Sequence, residues 1–243
     1  VDPAEGVNVD VKKDGASPSN KYKVVVSGGA PAGLANIAVQ RASDNQQLVQ
    51  TQATQWGFSP DDDRFVTSWV QTSGSLTIHH VALYDLTRTN PQGPIWTRAD
   101  STVSSRIQFS PSGRYLFYTD VVSGPQTQLT LVDTHTGTVQ FSDSILQAGG
   151  APVAGQDSFG TINWGFGPND TRFVYAYQSG SNNVTWNLVN LAKGPGQALV
   201  KTVSLLNETT DYWRFSSCGE VIALVRQPGQ QFVFVNLYNT KDG

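Results

Sequence analysis

Short apolar runs separated by polar turns recur along the whole chain, always in the same order. One set comprises Arg64-Phe65-Val66-Thr67-Ser68-Trp69, Arg114-Tyr115-Leu116-Phe117-Tyr118, Arg172-Phe173-Val174-Tyr175-Ala176-Tyr177 and Val221-Ile222-Ala223-Leu224-Val225. These runs are short and rich in β-branched and aromatic side chains, as half-buried strands require. Each is preceded by a shorter run that ends in a turn. The four versions are Gln55-Trp56-Gly57-Phe58-Ser59-Pro60, Arg106-Ile107-Gln108-Phe109-Ser110-Pro111, Asn163-Trp164-Gly165-Phe166-Gly167-Pro168 and Tyr212-Trp213-Arg214-Phe215-Ser216-Ser217. A third run follows a Gly/Ser/Pro/Gln-rich stretch and closes on Asp85, Asp133, Asn190 or Asn236. Asp and Asn favour tight turns because their side chains bond their own backbone. A weaker fourth run, as in Ile95-Trp96-Thr97 and Thr138-Val139-Gln140-Phe141, ends each unit.

The unit returns after 51, 57 and 49 residues, counted at Pro60, Pro111, Pro168 and Ser217. A repeat of this length with four antiparallel strands per unit predicts an all-β fold of propeller blades. A fifth unit is legible at the start, because Ser17-Pro18-Ser19-Asn20-Lys21-Tyr22 mirrors Ser110-Pro111-Ser112-Gly113-Arg114-Tyr115. The expectation is one five-bladed β-propeller domain over 1–243, with blades at about 7–51, 52–102, 103–155, 156–209 and 210–243. The last blade reaches its third strand and lacks a fourth. The segment Val7-Asn8-Val9-Asp10-Val11 is expected to close the ring, as that fourth strand or as the first strand of blade one.

Antiparallel pairing brings the start of the second strand to the end of the third. Arg64 is therefore expected opposite Asp85, and Arg114 opposite Asp133, as exposed pairs of little energetic weight. Trp56, Trp164 and Trp213 share one repeat position on the first strand, where large rings pack between blades. Trp164→Ala is accordingly expected to cost about 3–5 kcal/mol. Trp96 and Trp186 lie on outer strands and carry a weaker core expectation.

Charged residues make up 14% of the chain, and the net charge is −3. Ser, Thr, Asn, Gln and Gly take their place, giving a neutral hydroxyl and amide surface. The 16 Lys and Arg are scattered singly, which argues against nucleic acid and anionic membranes as partners. No run of 18 apolar residues occurs, so no membrane-spanning helix is expected. The single Cys218 allows no disulfide within the chain and reads as a bystander thiol. The chain starts at Val1 and contains no Met, which reads as a processed or excised piece, and the amide-rich surface leans towards an extracytoplasmic setting.

The catalytic inventory is thin. His79 and His80 are adjacent and face opposite sides of a strand, and His135 lies in a turn. No metalloprotease, serine-hydrolase, Cys-x-x-Cys or phosphate-loop motif occurs. Asp61-Asp62-Asp63 reads as a solvated turn rather than a calcium site, because the equivalent turns Ser112-Gly113 and Asn169-Asp170 repeat no acidic motif. The expectation is no catalytic residue, no metal and no cofactor.

The pattern Phe-Ser-Pro-Asp/Ser, then two residues at 58–65 or one at 109–115, then Arg-Phe/Tyr, resembles the repeat of the Tol-system periplasmic propeller. It also resembles WD40 repeats and the propellers of prolyl-oligopeptidase-type enzymes. True WD40 repeats place Trp-Asp at the end of the third strand, where this chain has Tyr84-Asp85, Val132-Asp133, Val189-Asn190 and Val235-Asn236. The resemblance implies the propeller fold and, as the commonest role, binding of proteins.

The expected function is a non-catalytic binding or scaffold propeller presenting loops to a protein partner. The alternatives are a glycan-binding, lectin-like propeller and the propeller domain of a larger secreted enzyme. The partner is expected on the face that carries the second-to-third-strand connections, 70–76, 119–127, 178–183 and 227–231, together with the long blade-to-blade segment 147–161. The residues singled out there are Gln147, Gln156, Asp157, Phe159 and Tyr212. Shortening the loop between Gly149 and Gly155 is expected to spare stability and weaken partner binding.

Overall fold

A computed structural model of the chain describes residues 9–10, 15–29, 34–74, 76–88, 93–100, 103–123, 126–146, 162–180, 183–206, 210–226 and 234–241. Among them all regular structure is strand except one turn of 3-10 helix, Leu191–Lys193. The strands form five antiparallel sheets in chain order. The first holds β2 (Tyr22–Gly29), β3 (Ala35–Arg41) and β4 (Gln47–Ala53). The second holds β5 (Gln55–Phe58), β6 (Arg64–Ser73), β7 (Leu76–Asp85) and β8 (Trp96–Asp100). The third has the order β1 (Val9–Asp10), β9 (Val103–Phe109), β10 (Tyr115–Ser123), β11 (Gln126–Asp133) and β12 (Val139–Leu146). The fourth holds β13 (Ile162–Phe166), β14 (Arg172–Gly180), β15 (Asn183–Asn190) and β16 (Leu199–Leu206). The fifth holds β17 (Thr210–Phe215), β18 (Val221–Arg226) and β19 (Phe234–Asn239).

The chain divides into two compact units. One takes in Val9–Asp120 and Val132–Thr138, and the other takes in Val121–Leu131 and Val139–Gly243, so the division runs through the third sheet. Val9 and Asp10 do not serve the first or the last sheet. They pair with Phe109 and Gln108, on the edge of β9 that β10 leaves free. An unpaired strand edge accepts any extended segment within reach, and two residues carry too little pattern to specify which.

Five turns share one wiring, and it explains the repeat. Backbone bonds link Ser17 to Tyr22, Ser59 to Arg64, Ser110 to Tyr115, Gly167 to Arg172 and Ser216 to Val221, with N···O between 2.8 and 3.0 Å. In the four serine versions the hydroxyl also accepts the N–H of the same second-strand residue, at 2.9–3.1 Å. The fourth residue of each turn has positive φ: Asn20 61°, Asp62 65°, Gly113 82°, Asp170 53° and Gly219 72°. Asn, Asp and Gly are the residues that tolerate this left-handed region. Third-strand ends at Asp133 and Asn190 behave as predicted, whereas Asn236, the end expected in the fifth unit, lies inside β19 opposite Leu224, and that strand ends at Asn239. Asp133 accepts from the N–H groups of His135 and Thr136, Asn190 from Ala192 and Asn239 from Lys241, at 2.8–3.1 Å.

This wiring corrects the register of one arginine. The second strand starts five residues after the turn's first residue, at Tyr22, Arg64, Tyr115, Arg172 and Val221. Arg114 is one position earlier and belongs to the turn. It stays 56% exposed, with its Nε 3.9 Å from Asp133, as an exposed pair should be. Arg64 is the direct partner of Asp85 and is only 5% exposed, so the expectation of an exposed pair fails there. Its guanidinium donates to Asp85 Oδ1 at 2.9 Å, to the Asp63 carbonyl at 2.8 Å and to the Thr134 carbonyl at 2.6 Å.

Asp85 gathers further donors from the Thr87 N–H at 2.9 Å, the Thr87 hydroxyl at 2.6 Å and Arg88 Nε at 3.3 Å. Burial alone would raise its pKa. The Thr87 bonds, with Arg64 and Arg88, outweigh burial and hold the carboxyl below its ordinary value. A depressed folded-state pKa contributes stability above the unfolded value, about 3.9, and loses it as the pH falls through the folded value. The melting temperature should therefore drop on acidification below about pH 4, and Asp85→Asn should flatten that drop. Melts from pH 2.5 to 7 with the same slope in both proteins would contradict this.

The core lies in seams between successive sheets. Ile37, Val39 and Leu48 of the first sheet pack with Trp56, Phe58 and Phe65 of the second. Val66, Val81 and Leu83 of the second pack with Ile107, Phe109, Leu116 and Tyr118 of the third. Val174, Trp186 and Leu188 of the fourth pack with Phe215, Ile222 and Leu224 of the fifth. Trp56 is buried as expected, but Trp164 is only half-buried. Repeat position decides which side of the strand a ring takes, whereas its cover depends on what the preceding sheet supplies. The ring that is fully buried is Trp186, on the third strand β15.

Candidate functional site

Polar links cross the seams as well as apolar ones. Arg98 on β8 donates to the Tyr118 hydroxyl at 2.5 Å, and its other nitrogen lies 3.0 Å from Asp120. Asp143 on β12 accepts from the Tyr175 hydroxyl on β14 at 2.5 Å. Burial, then this bond, pushes the Tyr175 hydroxyl far above its ordinary pKa, and burial also raises that of Tyr177. Two turns are tied in the same way: Asp62 accepts the N–H and hydroxyl of Ser19. Asp62 thus spends its charge on a structural bond. Among the described residues no group of three His, Cys, Asp or Glu could hold a metal ion.

Each sheet presents two faces, set by alternation along its second strand. Positions six and eight residues after the turn's first residue share one face. In the second to fifth sheets these are Phe65 and Thr67, Leu116 and Tyr118, Phe173 and Tyr175, and Ile222 and Leu224, and all eight are buried. In the first sheet the same positions are Lys23 and Val25, and neither is buried. Their cross-strand neighbours continue the polar character: Lys23 is opposite Gln40, Val25 opposite Ala38 and Ser27 opposite Asn36. Ala38 is in turn opposite Gln50, Asn36 opposite Gln52 and Gln40 opposite Gln47.

The face is therefore a field of neutral amides. It encloses an open groove of about 390 Å³ lined by Ser27, Asn36, Gln40, Gln47, Gln50 and Gln52, among others. Gln52 Nε2 donates to Asn36 Oδ1 at 3.0 Å, and Gln47 Nε2 donates to Gln50 Oε1 at 3.1 Å. An amide side chain offers two donors and a two-lone-pair acceptor, so these single bonds leave capacity for a ligand. The signal was present as Asn36-x-Ala38-x-Gln40 and Gln50-x-Gln52, but only strand pairing brings the two runs side by side.

Of the residues singled out from sequence, Gln147, Gln156, Asp157 and Phe159 lie outside the described residues. Tyr212 is a strand residue of β17, its Cα opposite Val225. Three of the expected loops are largely ladder. The strands run to Ser73 and resume at Leu76, run to Ser123 and resume at Gln126, and run to Gly180 and resume at Asn183. Thr, Ser and Gln in these arms are compatible with a strand whose backbone bonds are already made. The 227–231 connection lies outside the described residues. The β6–β7 arm presents a feature the sequence reading passed over. The Trp69 ring stacks on His80 with centroids 4.7 Å apart and planes 5° apart, and His80 Nε2 lies 3.2 Å from Gln71 Oε1.

The chain forms five consecutive antiparallel sheets, with apolar seams between the first and second, the second and third, and the fourth and fifth. The chain has a β-propeller fold. No protein-family model matches it, and no curated protein is similar to it. Among solved structures it is similar to the β-propeller domain of the trilobed protease from Pyrococcus furiosus, at 13% identity over 98% of this chain and 70% of that one, with a TM-score of 0.47. It is similar to the WD40 domain of Toxoplasma gondii coronin, at 10% identity over 97% of this chain and 73% of that one, TM-score 0.36. It is also similar to dipeptidyl peptidase 4 from Porphyromonas gingivalis, at 12% identity over 97% of this chain and 39% of that one, TM-score 0.47. The propeller thus spans well under half of that peptidase chain.

Proposed function

We propose that this chain is a non-catalytic binding propeller in an extracytoplasmic setting, and that the exposed amide face of its first sheet receives a protein partner. The observation that carries the reading is the first sheet's exposed face, where Lys23 and Val25 take positions that the other four sheets bury, with Asn36, Gln40, Gln50 and Gln52 beside them. A face of uncharged donors and acceptors suits a partner that is itself uncharged and rich in hydrogen-bonding groups, such as an extended polypeptide backbone. Lys23, at the end of the face, bonds Asn45. The β6–β7 arm, with Trp69 against His80, adds an aromatic platform of the kind that anchors protein partners.

The same amides favour a second reading. Glycan hydroxyls are recognised by Asn and Gln, so a lectin-like role rests on the same groove. Arrays of immobilised peptides and of glycans separate the two readings. Hits on the peptide array that weaken at least about tenfold in the Gln50→Glu/Gln52→Glu protein are expected, because each substitution removes two donors and adds a charge. Hits confined to the glycan array would reverse the order. Hits indifferent to both substitutions would remove the amide face from the account. Both residues are exposed, so the double variant should keep the parent melting temperature.

A further inference from the structure

Tyrosine recurs at one position of the second strand in two sheets only. Eight residues after the turn's first residue, the third sheet has Tyr118 and the fourth has Tyr175, both buried. Each hydroxyl takes its partner from the outer strand of the preceding sheet. For Tyr118 that partner is Arg98 on β8, and for Tyr175 it is Asp143 on β12. Two successive seams thus hold the same niche with opposite charges.

In the seam of the second and third sheets the niche is complete. The Arg98 guanidinium lies over the Tyr118 ring, 5.2 Å from its centroid, and pairs at 3.0 Å with Asp120, two residues further along β10. In the seam of the third and fourth sheets Tyr177 takes the position of Asp120. Its ring stacks on Tyr175, with centroids 6.4 Å and planes 12° apart, and the Phe141 ring lies 5.9 Å from Tyr175. Burial first and Asp143 second raise the pKa of both hydroxyls, so the carboxylate sits close to both. Carboxylate and rings are in place, but among the described residues no Lys, Arg or His pairs with Asp143. The cations of the fourth sheet, Arg172 and Lys201, lie on its other face. Arg172 is three residues from Tyr175, and Lys201 is opposite Leu188, whereas Tyr175 is opposite Asn187. The connections 147–161, 181–182 and 207–209 also contain no Lys, Arg or His. Asp143, Phe141 and Tyr177 are only half-buried, so solvent reaches them.

We infer that the niche of Asp143, Tyr175, Tyr177 and Phe141 binds a guanidinium group carried by a ligand, in the place that Arg98 occupies one seam earlier. Tyr175 bonds Asp143 Oδ2, which leaves Oδ1 to accept from the guanidinium. Aromatic faces attract cations through the ring quadrupole, and a planar guanidinium stacks on a ring while it donates to a carboxylate. The site is separate from the amide face and does not depend on it.

The test is a titration of the whole protein followed by amide proton–nitrogen correlation spectra. The probes are methylguanidinium and Nα-acetyl-arginine N-methylamide, with the neutral citrulline analogue of the second as control. Saturable shifts are expected at 141–143 and 175–177, and none at 98 and 118–120, where Arg98 already fills the niche. Asp143→Asn should weaken binding about tenfold or more, because it removes the charge and keeps an oxygen for the Tyr175 hydroxyl. Tyr177→Phe should bind as the parent does, and Tyr177→Leu more weakly. Tighter binding of the capped arginine than of methylguanidinium assigns the group to an arginine residue of a chain, and equal binding assigns it to a small guanidine. Absence of saturable shifts overturns the proposal, as do shifts confined to other residues or equal binding by the citrulline analogue. Binding indifferent to Asp143→Asn, in a variant whose spectrum otherwise matches the parent, overturns it too.

Discussion

Replacing Arg64 by alanine is expected to cost about 3–5 kcal/mol of unfolding free energy, the usual penalty for breaking one side of a buried ion pair. The guanidinium is 5% exposed and makes three bonds to three acceptors: Asp85, the Asp63 carbonyl and the Thr134 carbonyl. Its loss takes the side-chain donor from the Thr134 carbonyl and one of two donors from the Asp63 carbonyl, which keeps the Leu86 N–H, and removes one cation from Asp85. Asp85 keeps the Thr87 bonds and Arg88, which places the effect towards the lower end of the range. Arg64→Lys should recover little, because a single ammonium cannot replace a planar fork that reaches two sheets at once. Arg114→Ala is the internal control. Arg114 is 56% exposed and 3.9 Å from its carboxylate, so a change under about 1 kcal/mol is expected. Equal losses at the two arginines in urea denaturation would contradict the assignment of Arg64 to the second strand and Arg114 to the turn.

Trp186→Ala should destabilise the protein by a comparable amount, about 3–5 kcal/mol, through the cavity left by a large ring. The ring has no exposed surface and sits in the seam with Phe215, Ile222 and Leu224. Its indole Nε1 finds no hydrogen-bond partner. A buried unpaired donor costs about 1–3 kcal/mol, so Trp186→Phe trades a smaller volume for relief of that cost and should lose much less than alanine. The Trp164 ring is half-buried and should show a smaller loss on truncation than Trp186. Thermal unfolding of the three variants checks the order. A larger loss at Trp164 would mean that position within the repeat, rather than cover from the neighbouring sheet, governs burial.

The turns were the most legible part of the sequence. Asn, Asp or Gly at the fourth turn position encodes the positive φ in all five turns, Ser-Pro opens three of them, and the serine-to-strand bond forms in the four that begin with Ser. Third-strand ends at Asp133 and Asn190 were equally plain, because Asp and Asn bond their own backbone there, but the same signal at Asn236 misplaced the end of β19, which Asn239 forms. Register was less so. Arg64 and Arg114 look equivalent beside Phe and Tyr, yet one residue separates them, and only the backbone bonds from the turn serine fix the count. The amide face was written in alternating Asn and Gln, but its meaning depends on comparison with four buried faces that pairing alone reveals. The arms at 70–76 and 119–127 read as loops because their residues are polar. Polarity reports exposure, and an exposed strand is as polar as a loop.

The most direct test of the binding account is amide hydrogen exchange of the whole protein, with and without a peptide selected from the array. The account predicts added protection over 36–40 and 47–52, the two strands that carry Asn36, Gln40, Gln50 and Gln52. Protection confined to other sheets, with β3 and β4 exchanging as in the free protein, would contradict it.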